Sequence, residues 1–261
     1  MIKYIEGGVC AAKGFKASGI HCGIRKGKTK KDLSLIVSDR KCSAAAVYTT
    51  NLVCGAPIKV TRANLSDGIA RAVICNSGNA NTCNADGIQI AEAMCDLVYK
   101  ATGIPAKDVI VASTGVIGQK LDVTPIANGM DELVSSLSYN GSDEAAWGIM
   151  TTDTKLKSVA VEFEIGGKVC RIGGIGRRFC FTFHRGKNRF QICIGDGRII
   201  RLQFSCIGLF GVCTDIGIIR IVPVLGNGCK QCGDILVCDS IKCFILGISC
   251  FIGKIGIIAV K

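Results

Sequence analysis

Residues 174–261 lack Glu, Met, Tyr and Trp altogether and hold a single Ala, Ala259. The residues before them use all five, so the chain changes character near residue 173, and function has to be sought in the first part. Histidine is scarce throughout. His21 and His184 are the only two, which argues against a His-based catalytic triad or a His-rich metal site. A cleavable export signal is missing as well. Met-Ile-Lys-Tyr-Ile-Glu has no basic start followed by an apolar stretch and a small-residue cleavage site. Long apolar runs are nearly absent too. Phe244–Val260 comes nearest, at 17 residues with Lys254 inside it, at the short limit for crossing a bilayer. Its Gly and Ile are poor helix formers, so it is read as a buried or poorly ordered segment and not as a membrane anchor.

Cysteine is what the chain has in excess. Seventeen Cys, an odd number, without an export signal fit reduced thiols in the cytoplasm better than a disulfide framework. Cys75 ends an apolar run and Cys95 sits on a helix face, as small, buried, inert residues would. Nine Cys fall after residue 173, with 18 Ile and 8 of the 10 Phe. Among them, Cys229-x2-Cys232 with Cys238-x4-Cys243 offers four thiolates to zinc. The second spacing is irregular and Cys is equally dense around it, so a chance arrangement is the preferred reading. The net charge of +12 divides unevenly. Residues 1–173 carry 20 basic and 16 acidic side chains, and the remainder carries 12 and 4. The later ones are scattered among Ile, Gly and Cys and form no basic face, so no nucleic-acid partner is expected. The dense run Arg25 to Lys31 reads as a solvated loop or turn.

At 261 residues the chain can bury a substantial core. Leu33–Val37, Ala44–Tyr48, Ile58–Val60 and Ala70–Cys75 read as strands, with Ser38-Asp39 as a turn. From Asn84, the residues Ile88, Ala91, Cys95 and Val98 recur at helix spacing until Gly103 and Pro105 stop the run. Val109–Val111 is a strand. Thr124-Pro125 reads as an N-cap followed by proline at the first helical position. Ile126, Met130, Leu133, Val134 and Leu137 form that helix's stripe. Ser142-Asp143-Glu144 opens another helix with acids at the positive end of its dipole. Val159 to Ile165, Gly166-Gly167 and Val169–Ile172 make a hairpin. The expected fold is therefore α/β (α+β), a mixed sheet with hairpins and packed helices. Beyond Gly173-Gly174 neither a period of two nor one of 3.6 is sustained, a mark of poor foldability. We divide the chain into a domain at 1–176 and an unassigned Cys/Ile/Gly-rich tail at 177–261.

Three loops carry chemistry. Asn76-Ser77-Gly78-Asn79-Ala80-Asn81 joins a strand to a helix and can offer N–H groups to an anion, although a tight hydrogen-bonded turn suits its residue types better. Ala112-Ser113-Thr114-Gly115-Val116-Ile117-Gly118 places a hydroxyl beside a flexible backbone N–H, a sound arrangement for an oxyanion hole. Met150-Thr151-Thr152-Asp153-Thr154 links a helix to a strand, with a chain of hydrogen-bonded turns as the plainer account.

Taken together, residues 1–173 resemble the N-terminal (α) half of the ornithine acetyltransferase family. The likeness runs through Gly7-Gly8-Val9, Lys13-Gly14-Phe15-Lys16-Ala17, Lys31-Asp32-Leu33, Ser38-Asp39, Tyr48-Thr49-Thr50-Asn51 and the three loops, all in one order. It implies the fold of ornithine acetyltransferase and DmpA-like proteins. It also implies acetyl transfer from N-acetylornithine, and in many members from acetyl-CoA, to glutamate in arginine biosynthesis, with no cofactor. Family members cut themselves at an internal Thr, which then acts as nucleophile with its own amine as base, and the pieces assemble as α2β2. By the resemblance, Thr114 and Gly115 match the oxyanion pair and Thr151 a substrate-binding Thr.

The likeness fails where catalysis should follow. The family runs from Arg-Ile-Gly-Gly into Lys-Gly-Ser-Gly-Met and then Pro-Asn-Met-Ala-Thr-Met-Leu. Here Arg171-Ile172-Gly173-Gly174-Ile175-Gly176 is followed by Arg177-Arg178-Phe179-Cys180-Phe181. Arg177 stands for a substrate-binding Lys, with the charge kept but the shape changed. In register, the nucleophile's place falls to Asn188, which has no hydroxyl. Thr182 and Thr214 lack the family's flanking residues. The chain is therefore expected neither to cut itself nor to form an acetyl-enzyme, and the break is read as a shifted reading frame or a disrupted gene. The alternative is a non-catalytic Cys-rich metal-binding or interaction protein. Cytoplasmic residence, without a membrane, completes the expectation.

Overall fold

The computed structural model describes residues 2–48, 51–165 and 167–176, apart from the side chains of Val47 and Ile165, and beyond them the backbone of seven strands. Along the first part run β1 (Lys3–Ile5), β2 (Phe15–Ile20), β3 (Leu33–Tyr48), α1 (Ala56–Asn64), β4 (Ile69–Asn79) and α2 (Gly87–Thr102). There follow β5 (Val109–Val116), α3 (Thr124–Ser135), α4 (Ser142–Ile149), β6 (Ser158–Ile165) and β7 (Lys168–Gly176). The later strands are β8 (Phe179–His184), β9 (Arg189–Ile194), β10 (Arg198–Cys206), β11 (Gly217–Val224), β12 (Asp234–Val237), β13 (Cys243–Ser249) and β14 (Lys254–Val260).

Two units result. Met1–Arg177 with Lys242–Lys261 forms the first and Arg178–Ile241 the second. The first holds a nine-stranded mixed sheet in the order β1-β6-β7-β14-β13-β3-β4-β5, with β2 also paired to β3. The β4–β5 and β13–β3 pairs are parallel and the rest antiparallel. The second is a five-stranded antiparallel sheet, β12-β11-β10-β9-β8. The mixed α/β class anticipated from the sequence is thus the one observed. Phe244–Val260 holds the antiparallel pair β13 and β14, and no helix among the described residues is long and apolar enough to cross a membrane.

The sheet of the first unit is covered on both faces. Alternation along β4 and β5 sends Val73, Cys75, Ile110 and Ala112 to a core shared with Ala145, Ala146 and Ile149 of α4. Ala72, Ile74, Val109 and Val111 go to the opposite core, with Met94 and Val98 of α2 and Ile126, Met130 and Leu133 of α3. β5 is an edge of the sheet, and α1 guards it. Thr61 Oγ1 donates to Val111 O at 2.7 Å and accepts from its N–H at 3.1 Å, which occupies edge groups otherwise open to another strand.

Local corrections have local causes. Ile58–Val60 is not a strand but lies inside α1, because Gly55 and Pro57 start a helix whose inner face buries Pro57, Ile58, Val60 and Thr61. Ser38-Asp39 does not turn the chain. β3 continues through it, and the irregularity is a register shift against β4 between Val37 and Cys42. Thr124 is the first residue of α3 and not its cap. Asp122 accepts the Thr124 N–H at 2.9 Å, and that bond holds the Asp122 carboxyl below its usual range.

Four of the described cysteines, Cys10, Cys42, Cys75 and Cys95, are buried as small apolar residues are. Cys75 and Cys95 are buried at 1% and 2% exposure. Burial pushes the thiols of Cys10, Cys22 and Cys95 up to about 12, with the Asp32 charge adding at Cys22. These thiols titrate higher in the folded chain than in the unfolded one. Their contribution to stability is therefore complete below about pH 9 and is lost as the pH climbs toward 12. Peptide-mapped alkylation at pH 7.5 is expected to label exposed Cys83 well ahead of these three; equal rates would contradict the burial.

Candidate active site

β4 and β5 are parallel strands joined through α2, so their carboxyl ends lie side by side, where α/β sheets place their ligands. The register sets Asn76 against Ser113, Ser77 against Thr114 and Gly78 against Gly115. Two of the three sequence motifs therefore meet, although more than 30 residues separate them in the chain. The approach is close. Gly115 has φ +142°, and a Cβ there would stand 2.1 Å from the Gly78 carbonyl carbon and 2.4 Å from the Asn79 nitrogen, so only glycine fits. Thr114 is fully buried and shares the face of its register partner Ser77.

The asparagine loop spends its amides on its own backbone and that of neighbouring segments. Asn76 Nδ2 donates to Asn79 O at 2.9 Å, Asn79 Oδ1 accepts the Asn81 N–H at 2.8 Å, and Asn81 Nδ2 donates to Gly87 O at 2.8 Å. Asn79 Nδ2 also reaches Gln119 O at 2.9 Å. Asn81 and Cys83 take positive φ, 45° and 62°. The loop is a hydrogen-bonded turn that fixes the end of β4, as its residue types favoured.

The third motif is tied to the same place by residues whose part in it the sequence did not disclose. Ser77 Oγ donates to Gly148 O at 2.6 Å, in the last turn of α4. Arg25 donates from Nη2 to Ser77 Oγ at 2.6 Å and also to Met150 O. The basic run is thus only partly a solvated loop. Lys26 to Lys30 are exposed, whereas Arg25 is half-buried against the site. Its turn is held by Asp32, fully buried, which accepts the Cys22 and Arg25 N–H groups at 2.8 and 3.0 Å and lies 3.1 Å from His21 Nδ1. The one available signal was charge. Asp32 is the only acid between Glu6 and Asp39, at the end of a basic run, where a local counter-charge is required if the run folds inward.

Thr151 follows directly, and its Oγ1 is buried with no hydrogen-bond partner among the described residues. Beside it opens a pocket of about 330 Å³ lined by Thr29, Lys30, Lys31, Glu144, Trp147, Met150 and Asp153. Lys31 pairs with Glu144 and Lys157 with Asp153, so both carboxylates on the pocket wall are balanced. The pocket presents a half-exposed indole, paired charges and the segment leading to Thr151. Arg177 and Asn188 lie outside the described residues, as do Thr214, Cys229, Cys232 and Cys238. Thr182 and Cys243 are described only as backbone, in β8 and β13. Among the described residues no group of His, Cys, Asp and Glu is arranged to hold a metal ion.

The same stretch is what known proteins share. A 175-residue segment, 66% of this chain, is 44% identical to the arginine biosynthesis bifunctional protein ArgJ of Thermosynechococcus vestitus and covers 42% of that protein. The chain thus spans about two-fifths of the length of this curated relative. The crystal structure of the ArgJ protein from Bacillus halodurans superimposes with a TM-score of 0.61 at 38% identity, over 66% of this chain and 90% of that one. Ornithine acetyltransferase from Mycobacterium tuberculosis, solved in complex with ornithine, gives 0.58 at 37% identity over 62% and 88%. The family pattern itself extends over residues 16–177, from the start of β2 to the end of β7 and through all three loops, and on that ground the chain belongs to the ArgJ family.

Proposed function

We propose that residues 1–176 form the α half of an acetyltransferase of arginine biosynthesis, and that this chain lacks the nucleophile its reaction needs. The substrates are N-acetylornithine and glutamate, with acetyl-CoA as a further donor, and no cofactor takes part. In the full reaction a Thr oxygen attacks the acetyl carbonyl carbon while its proton passes to the same residue's amine. The carbonyl oxygen becomes an oxyanion. Its collapse breaks the C–N bond, ornithine leaves with the proton, and the acetyl ester remains for the amine of glutamate to attack.

The residues present here suit the surroundings of that step. The Thr114 hydroxyl and the Gly115 N–H serve as oxyanion donors, pre-set by the β4–β5 pairing and so costing no reorganisation as charge develops. The Thr151 hydroxyl contacts the substrate, and Arg177 replaces a Lys there without its shape. Asn188 has no oxygen nucleophile, so the sequence of bonds never begins. The chain stays in one piece, in the cytoplasm, without the cut that precedes the family's α2β2 assembly.

The observation that carries this reading is the register of Thr114-Gly115 against Ser77-Gly78, two distant motifs joined by a contact only glycine permits. The coverage agrees with it, since one segment accounts for two-fifths of a curated relative but nine-tenths of a solved chain. Reading the underlying DNA in its other two frames after Gly176 tests the cause. A segment like Asn-Met-Ala-Thr-Met-Leu is expected in one of them, and its absence from both would remove the shifted-frame account.

A further inference from the structure

We propose that Arg25 is a positioning residue of this site, a clamp that holds the Met150–Thr151 peptide against the carboxyl end of β4. The inference rests on the assignment of Thr114 and Thr151 to one acetyl-transfer site, and goes beyond it in naming what keeps them in register. Three observations converge. First, the guanidinium bridges two segments far apart in sequence, donating to Ser77 Oγ at 2.6 Å and to Met150 O. Second, the serine relays the contact, because its own hydroxyl donates to Gly148 O at 2.6 Å. The last turn of α4 has no basic residue of its own, so Arg25 supplies the cation that the negative end of the helix favours. Third, room has been left for it. Gly78 lies at φ +105°, and a Cβ there would come within 2.7 Å of Arg25 Cγ, so the arginine stem passes over the backbone where a side chain is missing.

The clamp is itself anchored. Asp32 accepts the Arg25 N–H through its carboxylate at 3.0 Å and the Ser77 N–H through its carbonyl at 2.8 Å. One residue thus holds both ends of the Arg25–Ser77 contact. Ser77 is the register partner of Thr114, and Met150 precedes Thr151. Slack in the clamp lets the Thr151 segment move relative to the oxyanion strand without unfolding either. Both contacts leave from Nη2. A lysine ammonium has donors enough for both but ends one bond short of that position and lacks the planar fork, so it restores the clamp only in part.

The test uses the full chain as wild type, R25K and R25M, with amide hydrogen exchange followed by peptide. In R25M, exchange at residues 76–79 and 148–153 is expected to rise at least tenfold, with β2, α2 and α3 unchanged, and R25K is expected to fall between the two. The single tryptophan, Trp147, lines the pocket and supplies a second readout. Its quenching by acrylamide should increase in R25M and be partly restored in R25K. Unchanged exchange at 148–153, or a rise spread evenly over the unit, would overturn the clamp. N-acetylornithine is then titrated against Trp147 emission. A wild type that gives no response counts against the substrate assignment, while the exchange pattern still decides the role of Arg25.

Discussion

Gly115→Ala is expected to lower the thermal midpoint of the chain by roughly 4–20 °C, at about 2–4 °C per kcal/mol for a domain of this size. The cost has two parts. The backbone at φ +142° is one an L-residue resists, by about 1–2 kcal/mol. The added methyl would also stand 2.1 Å from the Gly78 carbonyl carbon, and backbone cannot rotate aside as a side chain can. Forcing β4 and β5 apart adds about 1–3 kcal/mol. Gly118→Ala is the control. That glycine also has positive φ, +77°, but nothing stands within 4 Å of its Cβ position, so only the strain remains and the loss should be about 1 kcal/mol. Differential scanning calorimetry compares the two, and equal losses would refute the close β4–β5 approach.

The second large effect is on catalysis. Acetyl transfer from N-acetylornithine to glutamate is expected at background, because removing the nucleophile of a covalent mechanism costs on the order of 10⁶-fold in rate. Neither an acetylated chain nor a burst of ornithine should appear. Asn188→Thr is expected to change nothing. The replacement restores a hydroxyl, but Lys187 and Arg189 stand where the family places Ala and Met, and a weak hydroxyl nucleophile needs its neighbours shaped around it. Turnover in the unmodified chain above that of the buffer would contradict the assignment of Asn188.

How far the sequence foretold these contacts depended on whether they were local. The helices α2 and α3 and the β6–β7 hairpin follow from period, stop signals and turn residues within a dozen positions. Gly103, for example, ends α2 at φ +71°, as a glycine at that place should. Ile58–Val60 misled because two β-branched residues flanking an exposed Lys59 satisfy either element. Only the burial of one helical face and the proline before it settled the choice. The strands beyond residue 176 gave no alternation to read, and β13 and β14 had been visible only as an apolar stretch.

The site divides in the same manner. Thr114, Gly115 and Thr151 were reached through a motif series, and the register shows why two of the motifs meet. Arg25 and Asp32 could not be reached that way. Their importance lies in contacts to Ser77 and Met150, 52 and 125 residues away from Arg25. A basic run looks solvated until its partners are known. Asp32, alone among positive charges, was the sole local sign that the run turns inward.

The central claim is that this chain keeps the scaffold of an acetyl-transfer site and has lost the residue that cuts the chain and carries the acetyl group. Intact mass spectrometry of the purified protein, after prolonged incubation with N-acetylornithine, tests both losses at once. The account predicts one uncut, unacetylated species near 27.5 kDa. Two stable fragments from a cut near residue 188, or an added acetyl group on either piece, would contradict it.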